Sequence, residues 1–348
     1  MQIDWHDGVG MTRVSIRDVA LDAGVSETTV SHALSGKRPV SEETLARVRE
    51  ASERLGYRPS HVARSLRGRT TRTTALIVPD LCNPFYPALA RGLQQALVGR
   101  GYQTFVCDAD TRADLEEAFL EEALARQVDG IVIVPLTESV PQVLLADRTT
   151  PVVYAASYSE VMGSAGQHPN ADTVSTDDEG GMRRATEYVI GKGHSRIGYL
   201  TAPMNIGPAQ RRFDGFRRAL AAAGCELDED LVVTTSFTRD GGARGVAKLL
   251  DAGEPPTAVL CANDLIAIGA LGVALERRMV VPDAIAIVGY DDIDSASLVT
   301  PRLTTVQNPM RDIGKACGDL LLGRMTGEYT GGPREVRLPN RLVVRESA

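Results

Sequence analysis

From Ala75 onward the chain alternates short apolar runs with amphipathic stretches, and this alternation leaves few folds open to it. The apolar runs fall at residues 75–78, 104–106, 130–134, 152–154, 196–200, 231–233, 258–260 and 285–288, and read as strands. Between them, Leu89, Leu93 and Leu97 recur at i, i+4 and i+8. Leu115 and Phe119, Phe216 and Leu220, and Leu271 and Leu275 repeat the i, i+4 spacing of a helix face. Alternation of this kind over some 270 residues predicts an α/β architecture, parallel sheets with helices on both faces, and two sheets fit the length better than one. Ligands of such sheets bind beyond the carboxyl ends of the strands. The residues that follow each strand are therefore the first candidates for a site.

Residues 1–74 have a different texture. Ser15-Ile16-Arg17-Asp18 is a capping-box pattern that opens a helix running through Ala23. Gly24-Val25-Ser26 breaks it, and Ser26 is placed to cap a second helix over residues 27–34. Two short helices joined by a glycine-containing turn form a helix-turn-helix, with Val19, Ala20, Val25, Val30 and Leu34 packing the pair. A third helix starts near Ser41, carries Leu45, Val48, Ala51 and Leu55, and ends at Gly56-Tyr57-Arg58-Pro59. A fourth candidate covers residues 60–67, followed by the polar stretch 68–72.

Charge separates the same two regions. The chain carries a formal net charge of −7, yet residues 11–72 hold 12 Lys/Arg against 7 Asp/Glu, so the remainder is acidic. A basic module on an acidic body suits a nucleic-acid binder with a separate second domain. A surplus of this size is modest and moves the reading only slightly. At 348 residues the chain has length for two or three domains. No apolar run approaches the ~18 residues of a membrane span. The first ten residues carry Asp4 and Asp7 and neither a basic nor an apolar segment, so a cytoplasmic protein without a secretory signal is expected. Five scattered cysteines (Cys82, Cys107, Cys225, Cys261 and Cys317) without a CxxC argue against a disulfide framework and against zinc, and read as small buried hydrophobes.

The stretch 14–67 resembles the DNA-binding region of the lactose-repressor/purine-repressor (LacI/GalR) family of bacterial transcription regulators. The matching segments are VSIRDVALDAGVSETTVSHALSG, VSEETLARVREASERLGYRPS and HVARSLR. NPFYPALARGL, RQVDGIVI, GHSRIGYL, RRFDGFRRAL, CANDLIAIGAL, IVGYDDI, PRLTTV and RLVVRES extend the resemblance over nearly the whole chain. It implies a helix-turn-helix domain over 11–59, a hinge helix and linker over 60–72, and a periplasmic-binding-protein-like body over 73–348. The implied N-subdomain spans about 73–173 and 304–332, and the C-subdomain about 174–303 and 333–348, with crossings near 173, 304 and 333. Residues 1–10 match nothing in the family and read as a disordered tail or a mis-assigned start.

For DNA, the resemblance implies that Glu27, Thr28 and His32 face base edges, with His32 where relatives aim Arg or His at guanine. Ser15, Ser26, Thr29 and Ser31 suit phosphate contacts, although capping or solvent serves each of them as well. Glu27 either accepts from a cytosine amine or is a solvated charge at a helix N-terminus. In the family the leucine matching Leu66 wedges into the central base step, Ala63 packs nearby and Arg67 reaches phosphate or groove. Hinge helices must pair and one helix-turn-helix reads only a half-site, so a homodimer on a palindromic operator in double-stranded DNA is implied.

For the body, the resemblance implies a small-molecule effector, sugar- or nucleoside-like, lined by Phe85, Tyr86, Arg212, Phe237, Asn263 and Asp291. Arg212 would offer a rigid fork and Asp291 an acceptor, while the aromatics stack on a ring. An Arg212–Asp291 ion pair of purely structural role is the alternative. Ala156 and Ser157 stand where many sugar-binding members have aspartate and arginine, and Ile206, Gly207 and Pro208 occupy a loop that is often polar. The cleft should then be less polar than a hexose site. Asp291, Asp292 and Asp294 lack EF-hand spacing and any His or Cys partner, His194 reads as a turn residue, and no GxGxxG, GxSxG or P-loop lysine occurs. No cofactor, metal or catalytic activity is expected. The reading is thus an effector-responsive repressor. A solute-binding sensor of a transport system is the alternative, with a sugar-modifying enzyme third.

Overall fold

The computed structural model describes residues 14–35, 38–58, 70–136, 142–155, 169–204 and 207–348. Two compact units divide the chain, residues 1–71 and 72–348.

In the first unit, helices α1 (Ile16–Ala23), α2 (Glu27–Ser35) and α3 (Glu42–Leu55) pack around Val19, Val30, Val48 and Ala51. The capping box forms: the Asp18 amide donates to Ser15 Oγ at 3.4 Å, and the Ser15 amide donates to the Asp18 carboxylate at 2.8 Å. Gly24 ends α1 in the left-handed region at φ 63°, which costs glycine nothing. A β-carbon there would also lie 2.9 Å from the guanidinium of Arg47, which donates to the Ala23 and Gly24 carbonyls and ties α3 to the turn.

The second unit begins with five parallel strands, β1 (Thr73–Val78), β2 (Gln103–Asp108), β3 (Gly130–Ile133), β4 (Val152–Ala155) and β5 (Ala171–Thr176). Helices α4 (Phe85–Val98), α5 (Ala113–Ala125) and α6 (Gln142–Ala146) lie between them. Helix α7 (Asp178–Gly191) carries the chain into a second sheet. There follow β6 (Ile197–Thr201), α8 (Gly207–Ala222), β7 (Val232–Thr234), α9 (Arg239–Asp251), β8 (Ala258–Cys261), α10 (Asp264–Glu276), β9 (Ala286–Asp291) and β10 (Thr304–Gln307). Helix α11 (Met310–Met325) and β11 (Glu335–Leu338) return to the first sheet, and β12 (Arg341–Val343) closes on the second, antiparallel to β10.

The sheet orders are β11-β5-β4-β3-β1-β2 and β12-β10-β9-β8-β6-β7. The strand pairings fix the crossings. Thr304 sits opposite Val288 in the second sheet and Glu335 opposite Thr173 in the first. The chain therefore crosses after β5, β10 and β11, a few residues beyond 173, 304 and 333. Apolar layers cover both faces of each sheet.

The helix stripes depart from expectation in two places. On α5 the fully inward positions are Glu116, Leu120 and Ala123, while Leu115 and Phe119 are half-buried. Glu116 turns inward because its carboxylate accepts the Leu136 amide at 2.9 Å. On α10, Leu271 is buried but Leu275 is exposed. Of the cysteines, Cys261 and Cys317 are buried, whereas Cys82 is exposed.

Candidate functional site

At the carboxyl ends of the strands, between the two sheets, Phe85, Tyr86, Arg212, Phe237, Asn263 and Asp291 line a single cavity. Pro208, noted in the sequence as part of an apolar loop, joins the wall, which is completed by Asn83, Val134, Asp178 and Asn308, none of them proposed as site residues from the sequence. Sheet geometry explains the gathering. The loop after β1 delivers Asn83 and the start of α4, the loop after β7 delivers Phe237, Asn263 follows β8 by two residues, and β9 ends on Asp291.

The aromatic wall is set by local bonding. The Asn83 side chain accepts the Phe85 amide at 3.1 Å, and the Phe85 and Tyr86 rings meet edge to face at 5.2 Å. Asn263 is partly committed elsewhere: its Oδ1 caps α10 by accepting the Ile266 amide at 2.9 Å.

Arg212 is the centre of the polar wall. Its Nε donates to Asp178 Oδ1 at 2.8 Å, its Nη1 to the Ala262 carbonyl at 2.6 Å and its Nη2 to Asp291 Oδ1 at 3.4 Å. Its guanidinium also lies 3.8 Å above the centre of the Tyr290 ring. The three contacts use three of the five N–H donors a guanidinium carries. The expected Arg212–Asp291 pair is present, but the shorter contact is to Asp178. Burial opposes the charge of Arg212, and the two carboxylates outweigh it and hold the guanidinium above its usual range.

Asp291 is raised instead. Burial pushes its carboxyl up to about 6 against the opposing pull of Arg212 and of the Asn308 amide. Burial, and then the charge of Asp291, drive the neighbouring Asp264 well above the carboxylate range, where it takes the Thr305 hydroxyl at 2.5 Å and the Ile293 amide at 2.9 Å. Asp292 is occupied by Arg345 at 2.6 Å. Among the described residues no group of three or more His, Cys, Asp or Glu is placed to hold a metal ion.

In the first unit, Glu27 and Thr28 are exposed at the start of α2, and His32 lies half-buried on the same helix. Ser26 accepts the Thr29 amide at 3.1 Å and so caps the helix, and its hydroxyl pairs with that of Thr29 at 2.8 Å. Ser15 likewise serves as the cap of α1. Ser31 is half-buried. Ala63, Leu66 and Arg67 lie outside the described residues, as do Ala156, Ser157 and Ile206.

Comparison with known proteins decides the family. A profile described as bacterial regulatory proteins, lacI family, matches residues 15–60, and a periplasmic binding protein-like domain matches 186–348. The HTH-type transcriptional repressor PurR of Aliivibrio salmonicida is 33% identical over 90% of this chain and 93% of its own length. The ribose operon repressor of Escherichia coli K12 is 34% identical over 96% of this chain and 99% of its own length. The chain belongs to the lacI family of bacterial regulatory proteins.

Among solved structures, the lac repressor dimer bound to operator and the anti-inducer ONPF superimposes with a TM-score of 0.83 at 26% identity, covering 97% of this chain and 99% of that one. The transcriptional regulator CelR in complex with cellobiose gives 0.70 at 34% identity over 97% and 100%. This lacI-family chain is thus a DNA-binding transcriptional regulator with a periplasmic-binding-protein-like body. Among the described residues no helix is long and apolar enough to cross a membrane.

Proposed function

We propose that this regulator is a cytoplasmic, non-enzymatic repressor that binds a palindromic operator as a homodimer and responds to a small polyhydroxylated ring compound, sugar- or nucleoside-like. The arrangement around Arg212 carries this reading. A buried fork with donors to spare, a carboxylate beside it and a wall of Phe85, Tyr86 and Phe237 suit hydroxyls on the edge of a flat ring. Asn308 adds an acceptor, because its Oδ1 has no partner among the described residues and the residue is 2% exposed. CelR with cellobiose and an Enterococcus faecium regulator with ribose give the ligand class precedent.

In this reading residues 11–59 read DNA through Glu27, Thr28 and His32, while Ser15, Ser26, Thr29 and Ser31 lie along the phosphates. Residues 60–72 act as the hinge, with Ala63, Leu66 and Arg67 at the minor groove. The two sheets form the N- and C-subdomains, and ligand binding between them shifts the population of hinge spacings across the dimer. The test has two arms. Purified protein is screened by thermal shift against sugars, nucleosides and purines, and the same protein selects duplexes from a random DNA pool. A palindrome and a hit that alters its binding are expected. Selection of no palindrome refutes the operator reading, and a hit whose binding is unaffected in Asp291→Ala refutes the cleft.

A further inference from the structure

All three crossings between the sheets set a buried polar side chain against one place, the Tyr290–Asp291 end of β9. At the first crossing, Asp178 opens α7 and holds Arg212, whose guanidinium lies over the Tyr290 ring. At the second, Asn308 donates its side-chain amide to Asp291 Oδ1 at 3.2 Å and its backbone amide to the Asp291 carbonyl at 3.1 Å. At the third, Asn340 donates its side-chain amide to the Tyr290 hydroxyl. These side chains belong to different elements far apart in sequence, so their convergence is a property of the fold.

The packing around that contact is specific. Gly181 on α7 leaves the room for it: a β-carbon there would lie 2.6 Å from Tyr290 Oη and 3.2 Å from Asn340 Nδ2. Arg184, also on α7, bridges the first and third crossings, donating to Asp177 at 3.3 Å and to the Asn340 carbonyl at 2.9 Å. The backbone at Asp291 is held at φ 113° and at Asp292 at φ 59°, both unfavourable for a side chain with a β-carbon. Such conformations persist only where the surroundings over-determine them, and they cluster at switch regions. Among the described residues the Oδ1 atoms of Asn308 and Asn340 are both buried without a partner. Two crossings therefore carry amides whose hydrogen bonding is incomplete in this arrangement.

We propose that Tyr290, through Asn340, is a positioning residue that couples the ligand cleft to the third crossing. The ring senses where Arg212 sits, and the hydroxyl fixes where the chain re-enters the second sheet. A ligand that draws Arg212 into the cleft unloads the ring, and the third crossing moves relative to the first. This deepens the ligand-responsive reading above and rests on it.

Tyr290→Phe in the full-length protein tests the proposal, since it keeps the ring beneath Arg212 and removes only the hydroxyl. Hydrogen exchange is followed in peptides covering 177–182 and 338–342, and affinity is measured for the duplex that the wild-type protein selects from a random pool, with no ligand added. Exchange in both peptides should accelerate at least tenfold while β6 and β8 stay protected, and operator affinity should change at least threefold. Asn340→Ala should shift both readouts in the same direction but by less, because the Tyr290 hydroxyl also bonds Asp178, and the double variant should show no more than Tyr290→Phe alone. Val288→Ala, in the apolar layer of the same strand, should lower the melting temperature yet leave operator affinity within twofold. Either effect of Tyr290→Phe without the other overturns the coupling, as do additive effects of the two variants or a Val288→Ala shift of equal size. Failure of the wild-type protein to select any duplex refutes the regulator reading instead, and the exchange data still decide the mechanical link.

Discussion

Asp291 holds a carboxyl raised to about 6 in a site 4% exposed, so its protonation reports on both folding and the cleft. In the unfolded chain an aspartate titrates near ~3.9. The native state thus holds this proton more tightly than the unfolded state does. The stabilisation it brings is complete below about pH 4, is lost as pH rises through about 6, and changes no further above that. A rise of about two pH units corresponds to roughly 3 kcal/mol. Asp291→Asn should therefore gain on the wild type by about 2–3 kcal/mol in urea melts as pH rises from 4 to 6.5, whatever the offset between the two at pH 4. A stability difference that does not change with pH would show that the charge of Asp291 is not strained by burial. Arg212→Ala is expected to behave in the opposite sense. It strands Asp178 and Asp291, both under a tenth exposed, and should cost about 3–5 kcal/mol in the same melts. A loss under 1 kcal/mol would mean that the carboxylates find other partners. At this scale the sequence placed Arg212 and Asp291 together, since strand ends and a guanidinium in a known motif are visible in the chain. Asp178 and Asn308 were not visible: each lies at a crossing, where position depends on how two sheets meet and no local pattern marks it.

Helix pairs in the body approach one another through glycine. On α10 a β-carbon at Gly269 would stand 1.9 Å from the Arg239 carbonyl oxygen of α9, and one at Gly242 of α9 would stand 2.0 Å from the Ile266 carbonyl of α10. Gly92 and Gly314 allow the same approach of α4 and α11, and Gly215 that of α8 on α7. Gly272, on the same helix as Gly269, has nothing within 4 Å of the built β-carbon. The two positions should therefore respond with opposite signs to one substitution. Gly272→Ala gains helix propensity and should stabilise the protein by about 0.5–1 kcal/mol. Gly269→Ala forces α9 and α10 apart and should cost about 1–3 kcal/mol, the usual range for overpacking. Equal effects in denaturant melts would rule out the close helix approach. Elements differed in how plainly the chain announced them. Each of the eight apolar runs overlaps a strand, with ends that agree to within three residues. Strand β5 escaped because Asp172, Thr173, Ser175 and Thr176 fill its buried faces. Asp172 is tolerated there by Arg324 and Arg334, each at 2.7 Å, and both arise more than 150 residues later. Strands β10, β11 and β12 are four, four and three residues long and gain their pairing only from the crossings.

For the whole molecule, the separation of charge between its two parts sets how it should meet DNA. The 12 Lys/Arg of residues 11–72 face 7 Asp/Glu, while the rest of the chain is acidic. An acidic body repels phosphate on average, so attraction to DNA is expected to come mainly from the basic segment. Each cation that neutralises a phosphate releases condensed counterions, so the logarithm of affinity falls with the logarithm of salt by about 0.9 per contact. A dimer with three to five such contacts per subunit makes about 6–10 in total and should lose roughly 10³–10⁵ in affinity between 50 and 200 mM salt. A single head on a half-site should show half that slope. Titrating the selected palindrome and a single half-site duplex at several salt concentrations measures both slopes. The expected result is a palindrome slope near −5 to −9, about twice that of the half-site. Equal slopes on the two duplexes would mean that only one head engages DNA at a time, and the paired-hinge arrangement would have to be given up. A slope shallower than about −3 would mean that the whole dimer meets about three phosphates or fewer, too few for two basic segments lying along the backbone.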